Sequence, residues 1–157
     1  MRPEELPVEY VIKRREIVAA ARDWVGVPYR HQGRTRNGID CIGLLLNVAV
    51  DVGHPLTETG GPYSTQPQGY QLTVPGDKQL WKPARQDKLI PGDIGLFWVW
   101  SRREPQHIAL FGETPHGVTI IHSFSKFQKV VEQSWNSLWA KRLHCLFNLP
   151  GTEEEVT

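Results

Sequence analysis

Between Val8 and Val25, apolar side chains recur at Val11, Ile12, Ile17, Val18, Ala21, Trp24 and Val25, with Arg14, Arg15 and Arg22 on the opposite side. That spacing predicts an amphipathic helix facing a core. Gly26 and Pro28 end it, because glycine suits a C-terminal cap and proline restricts the residue before it. A donor-rich polar loop from Tyr29 to Gly38 then leads to a second helix, whose apolar run extends from Ile42 to Val52. Asp40 is of the type that caps helix N-termini, and Gly53 closes the far end. From His54 to Pro91 repeated proline and glycine break any long periodic element, leaving only a short helix predicted around Asp77 to Trp81. Loops of this length in small domains cover a cleft or dock on a partner, and Tyr63, Tyr70 and Trp81 are expected to pin this one to the body.

After Pro91 the pattern becomes that of strands: Asp93 to Trp100, His107 to Gly112, Val118 to His122, Lys129 to Glu132 and Leu143 to Leu149. Polar turns separate the first three, and Trp135 to Arg142 reads as a short helix. Helices first and an antiparallel meander afterwards predict an α+β fold, and 157 residues fit a single domain spanning 1–157.

Composition changes this picture by exclusion. A hydrophobic content of 39%, a charged content of 22% and a net charge of +1 describe an ordinary globular chain, so nucleic acid is not the expected partner. No apolar run reaches membrane-spanning length, which argues against membrane insertion. Met1 to Tyr10 carries Arg2, Glu4, Glu5 and Glu9 without an apolar segment, so no signal peptide is expected and the chain should be made in the cytoplasm. The two cysteines lie far apart in dissimilar settings, which argues against a disulfide framework.

Cys41 follows the predicted cap, where backbone N–H groups and the helix dipole favour a thiolate. On position alone it is equally a nucleophile or a small buried hydrophobe; Cys145, in an apolar run, reads as a core residue. A cysteine nucleophile needs a base, and histidine serves near neutral pH. Of the six histidines, His107 opens one strand and His122 ends another. Antiparallel pairing of those strands would bring both rings to one rim of the sheet, with His107 as base and His122 fixing its orientation. A metal site from Cys41, His107 and His122 lacks the close ligand pairs of structural zinc sites, so neither metal nor cofactor is expected.

Val27-Pro28-Tyr29-Arg30-His31-Gln32-Gly33 and Gly38-Ile39-Asp40-Cys41-Ile42-Gly43-Leu44 resemble the Pro-Tyr loop and Asp-Cys motif of the NlpC-type, papain-like cell-wall peptidases. Pro91 to Phe97, His107 to Leu110 and Ile120 to His122 are similar to that family's later strands, in the same order. The resemblance implies a papain-like NlpC-type fold, with Cys41 as nucleophile, His107 as base and His122 as orienting residue. The substrate-facing set is then Tyr29, His31, Gln32, Asp40 and Ile42. The chain departs from many relatives at Ile42, where they carry serine, and at His31-Gln32-Gly33, where they carry a Trp-Gly-Gly-like loop. The implied reaction is cleavage of a peptidoglycan stem-peptide amide, between γ-D-glutamyl and the diamino acid, through a thioester. Val130 to Gly151 is similar to short members encoded among phage tail and gene-transfer-agent genes. That similarity implies phage tail-tip or baseplate partners and assembly into a virion. The rival implied by the same fold is a catalytically idle structural module of a tail tip.

Overall fold

The computed structural model describes residues 11–54, 56, 82–83, 88–103 and 105–157. The helix predicted at Asp77 to Trp81, the aromatic residues Tyr63, Tyr70 and Trp81, and most of His54 to Pro91 lie outside the described residues.

Helix α1 spans Arg14–Arg22 and buries Ile17, Val18 and Ala21. It is shorter than the periodicity predicted, because Ile12 enters as extended chain bridged to Thr152. Ile12 N–H donates to the Gly151 carbonyl at 2.8 Å, and Glu153 N–H donates to the Ile12 carbonyl at 2.9 Å. Arg14, expected on the solvent side, is instead buried. Its guanidinium meets the Asp93 carboxylate at 2.6 Å and also donates to the Pro91 carbonyl and Asn148 Oδ1. Helical spacing places Arg14 beside the apolar stripe, and only the buried carboxylate from a distant strand makes that position tolerable.

Strands β1 (Arg34–Thr35) and β2 (Gly38–Ile39) form a short ribbon that feeds helix α2 (Cys41–Asp51). The main sheet contains β3 (Lys82–Pro83), β4 (Ile94–Phe97), β5 (His107–Thr114), β6 (Gly117–Phe124), β7 (Lys129–Ser134) and β8 (Leu143–Asn148). A 3-10 turn, Ser125–Phe127, links β6 to β7, and the short helix α3, Ser137–Ala140, precedes β8. The order is β3-β8-β4-β5-β6-β7, with every pairing antiparallel. The predicted meander from β4 to β7 is present, and β8 returns to pair with β4. The first predicted strand is shorter than its apolar run: Trp98 to Trp100 leave the sheet after Phe97.

Strand alternation sorts the core into two layers. Ile94, Leu96, Ile108, Leu110 and Ile121 pack with Leu44, Leu45, Val48 and Ala49 of α2 and with α1. The intervening positions Phe97, Ala109, Phe111 and Ile120 form a second cluster with Phe124 and Trp139. By parity, His107 and His122 belong to this second, aromatic face, whereas Cys41 belongs to the helical layer.

Candidate active site

Asp40 builds the platform on which Cys41 stands. Its backbone is extended, and its carboxylate accepts the Gly43 N–H at 2.8 Å, which closes the first turn of α2. The same carboxylate takes Arg34 Nη1 at 2.9 Å and the Gln32 backbone N–H at 2.9 Å, so one side chain ties the loop to the helix start. Gly43 allows this closeness, because a Cβ there would stand 2.2 Å from the Gly33 carbonyl oxygen. Tyr29 N–H donates to the Gln128 carbonyl at 2.9 Å, and Ser123 Oγ–H donates to the Ile39 carbonyl at 2.6 Å. The loop is thereby tied at both of its ends to β6 and the turn that follows it.

Cys41 is the first residue of α2 and is 7% exposed. Burial, followed by the Asp40 charge, pushes its thiol up to about 12; the Ile108 and Ile42 amides and Arg34 act in the opposite direction. This corrects the dipole argument. Desolvation together with a carboxylate one residue away outweighs the helix terminus, and the resting group is a thiol.

His107 and His122 meet as expected, but not at a sheet edge. β5 is an interior strand, and its first residue, His107, is only 2% exposed. His107 Nε2 and His122 Nδ1 are 2.7 Å apart, and His122 Nε2 lies 2.7 Å from Gln133 Oε1. An amide oxygen only accepts, so His122 Nε2 carries a proton. Neutral His122 then accepts at Nδ1, His107 donates from Nε2, and neutral His107 keeps a bare Nδ1. The line ends on the nitrogen that a base requires.

Both rings are held neutral. Burial and then the neighbouring His122 lower His107 well below the ordinary histidine value. Burial lowers His122 to about 4, against the upward pull of the Gln133 bond. Phe124 stacks on the His122 ring at 5.9 Å, and Trp139 meets that ring edge-on at 5.1 Å. These walls exclude water and leave Gln133 as the polar partner of His122 Nε2.

Tyr29, His31, Asp40, Cys41, Trp100 and His107 converge on one cavity of about 20 Å³, completed by Gln106 and the 123–125 segment. That volume is room for about one water. Tyr29 is pushed up to about 12 by burial and by the Cys41 and Asp40 groups, so its hydroxyl keeps its proton and can donate. Two residues of the expected substrate-facing set are elsewhere. Ile42 is 3% exposed in the core, because the helix turns it away from the cavity. Gln32 acts through its backbone, in the left-handed conformation at φ 61°, to satisfy Asp40. Asp40 itself reaches the cavity with a carboxylate already engaged.

Sequence reasoning missed Gln133 and Gln106. β7 runs to Ser134, beyond the predicted end at Glu132, and a longer strand was the signal that would have placed Gln133 on the histidine face. Among the described residues, no group of three histidine, cysteine, aspartate or glutamate side chains is arranged to hold a metal ion. Both cysteines are free.

The family model described as NlpC/P60 matches residues 26–147, which contain the cap, Cys41, both histidines and Gln133. The chain belongs to the NlpC/P60 family. A curated relative, "Probable endopeptidase NlpC" of Escherichia coli (strain K12), is 24% identical over 94 residues, covering 57% of this chain and 50% of its own length. The chain therefore spans about half of that relative. The NlpC/p60 domain of the peptidoglycan hydrolase SagA superposes with a TM-score of 0.57 at 21% identity, covering 88% of this chain and all of that one. RipD from Mycobacterium tuberculosis, described as a non-catalytic NlpC/p60 domain protein adapted to peptidoglycan binding, gives 0.56 at 13% identity, covering 87% and 96%. These likenesses establish the papain-like α+β fold of NlpC/P60 domains.

Proposed function

We propose that this NlpC/P60 chain is a cysteine peptidase that cleaves an amide in peptidoglycan stem peptides, between γ-D-glutamyl and the diamino acid. The observation that carries the reading is the line Gln133, His122, His107, in which two 2.7 Å bonds fix both tautomers and leave Nδ1 unprotonated on a ring that lines the same cavity as Cys41. As the sulfur attacks the carbonyl carbon, its proton passes to His107 Nδ1. The resulting imidazolium keeps its Nε2–H bond to His122. Gly43 and Leu44 N–H groups are engaged by Asp40, so the Cys41 N–H at the start of α2 is the donor for the oxyanion, assisted by the Tyr29 hydroxyl. The C–N bond breaks as the His107 proton moves to the leaving amine. Water, deprotonated by the same ring, then releases the thioester as a carboxylate and restores the thiol.

The test is incubation with a defined stem peptide and mass spectrometry of the products. Wild type exposes a new amino terminus at the diamino acid, and Cys41→Ala and His107→Ala expose none. Intact peptide with wild type overturns the reading.

The similarity of Val130 to Gly151 to phage-tail members supports a second part of the proposal. The chain is made in the cytoplasm and joins tail-tip or baseplate proteins, where it opens the wall. Peptide mass spectrometry of purified tail particles finds it if this is right; particles lacking it contradict the placement.

The raised Cys41 thiol favours one rival, in which the domain is a catalytically idle structural part of a tail tip. RipD is a relative of this fold without catalysis. Equal product from wild type and Cys41→Ala would favour that rival.

A further inference from the structure

A second cavity, of about 240 Å³, opens beside the catalytic one and is lined by Trp98, Val99, Trp100, Ser101, Arg102 and Arg142. Trp100 lines both, so the two adjoin at that side chain. The topology sets their direction. Trp98 N–H donates to the Arg142 carbonyl at 2.7 Å, placing this groove at the β4–β8 flank, whereas Tyr29 is bonded to Gln128 at the β6–β7 flank. β5, which bears His107, lies between these flanks.

The groove is built rather than incidental. Gln106 is 4% exposed and precedes His107; its Oε1 accepts the Val99 N–H at 2.8 Å and the Trp100 N–H at 3.1 Å, and its Nε2 donates to the Ser101 carbonyl at 2.8 Å. That side chain holds the lip in shape. Arg14, Arg22, Arg34 and Arg36 each meet a carboxylate at 2.6 to 2.9 Å. Arg102 and Arg142 meet none among the described residues. Arg102 Nη2 donates to the Lys141 carbonyl at 3.1 Å, and the Arg142 guanidinium lies 5.5 Å from the Trp139 ring centroid. Two positioned guanidinium groups with donors to spare, set against two tryptophans, are suited to a carboxylate on a peptide chain.

We propose that this groove is a carboxylate-reading subsite, which binds the part of the substrate extending past the scissile amide toward the β4–β8 flank. The proposal rests on the stem-peptide reading above. Specificity then comes from a free carboxylate held by Arg102 and Arg142 while Trp98 and Trp100 cover the adjoining chain.

The test uses a set of stem peptides in which each free carboxylate in turn is replaced by a carboxamide. Wild type, Arg102→Gln and the double variant Arg102→Gln/Arg142→Gln are compared. Wild type loses about tenfold in kcat/KM when one particular carboxylate is amidated, as expected for a lost charged hydrogen bond. The double variant brings that ratio near one, and Arg102→Gln alone, an exposed change, lowers it partway. The same ratio in wild type and both variants overturns the subsite. A second arm measures binding of the same peptides to Cys41→Ala protein by tryptophan fluorescence, with and without the arginine changes. If wild type cleaves nothing, the peptidase reading falls and this arm alone decides. A carboxylate preference in Kd that the arginine changes abolish sustains the subsite, and no such preference removes it.

Discussion

One amide oxygen determines where two protons sit. Because Gln133 Oε1 only accepts, it orders His122 and, through it, His107. Gln133→Leu leaves the His122 Nε2–H unmet on an otherwise apolar face and is expected to lower kcat/KM by about 10- to 100-fold. Gln133→Glu supplies a charged acceptor, raises His122, and shifts the acid limb of the kcat/KM profile to higher pH. An unmoved limb would mean that Gln133 does no more than fill space. For Cys41, a thiol pushed up to about 12 predicts iodoacetamide alkylation that keeps accelerating through pH 10. A plateau near neutrality would restore the thiolate expected from the helix dipole. Legibility at this scale follows contact distance: Asp40 and Cys41 are sequence neighbours with local roles, so the cap was readable. The burial that reverses the dipole's effect comes from packing in a core shared with distant strands, and a polar glutamine in β7 carries no local mark of the histidine it serves.

At the scale of elements, the cap of α2 and its glycine form a unit. Gly43→Ala should raise helix propensity by up to about 1 kcal/mol, yet a Cβ 2.2 Å from the Gly33 carbonyl oxygen forces the loop away. The expected net effect is a loss of about 1 to 3 kcal/mol, seen as a lower urea midpoint, together with reduced turnover. A stabilised variant would refute the packing argument. Strands β4 to β8 and helices α1 and α2 were legible because their apolar periods are clean, whereas the two-residue strands β1 and β2 fall in a stretch that reads as polar loop. Helix α1 was overextended because Ile12 fits its spacing while belonging to a bridge with Thr152, a partner that no helical pattern encodes. Trp98 to Trp100 continue the apolar run of β4 but leave it, and Gln106 captures the backbone N–H groups of Val99 and Trp100.

Over the whole molecule, burying a pair of neutral histidines makes stability depend on acidity. In the fold both lie below the ordinary value, so the unfolded chain binds more protons once pH falls under about 6.5. Stability present above pH 6.5 is therefore lost as pH falls, and His122 alone accounts for about 3 kcal/mol between pH 6.5 and its folded value of about 4. Glu132, lowered chiefly by its bond to Arg22, adds a loss only below the ordinary carboxylate range. Urea midpoints measured from pH 7 to pH 4 should fall steadily, and less steeply in His122→Gln; a flat series contradicts a buried neutral pair. The α+β arrangement itself was readable from the order of helices and strands, whereas the division of Cys41 and the histidines between two core layers emerges only from the register of the sheet. The most direct measurement is release of amino groups from purified peptidoglycan between pH 5 and pH 10. Thiol and imidazole that rest neutral predict wild-type activity that rises through the acid range and holds to at least pH 9, with none from Cys41→Ala. Equal release by the two proteins would contradict the central claim that this sulfur, served by this ring, cuts the amide.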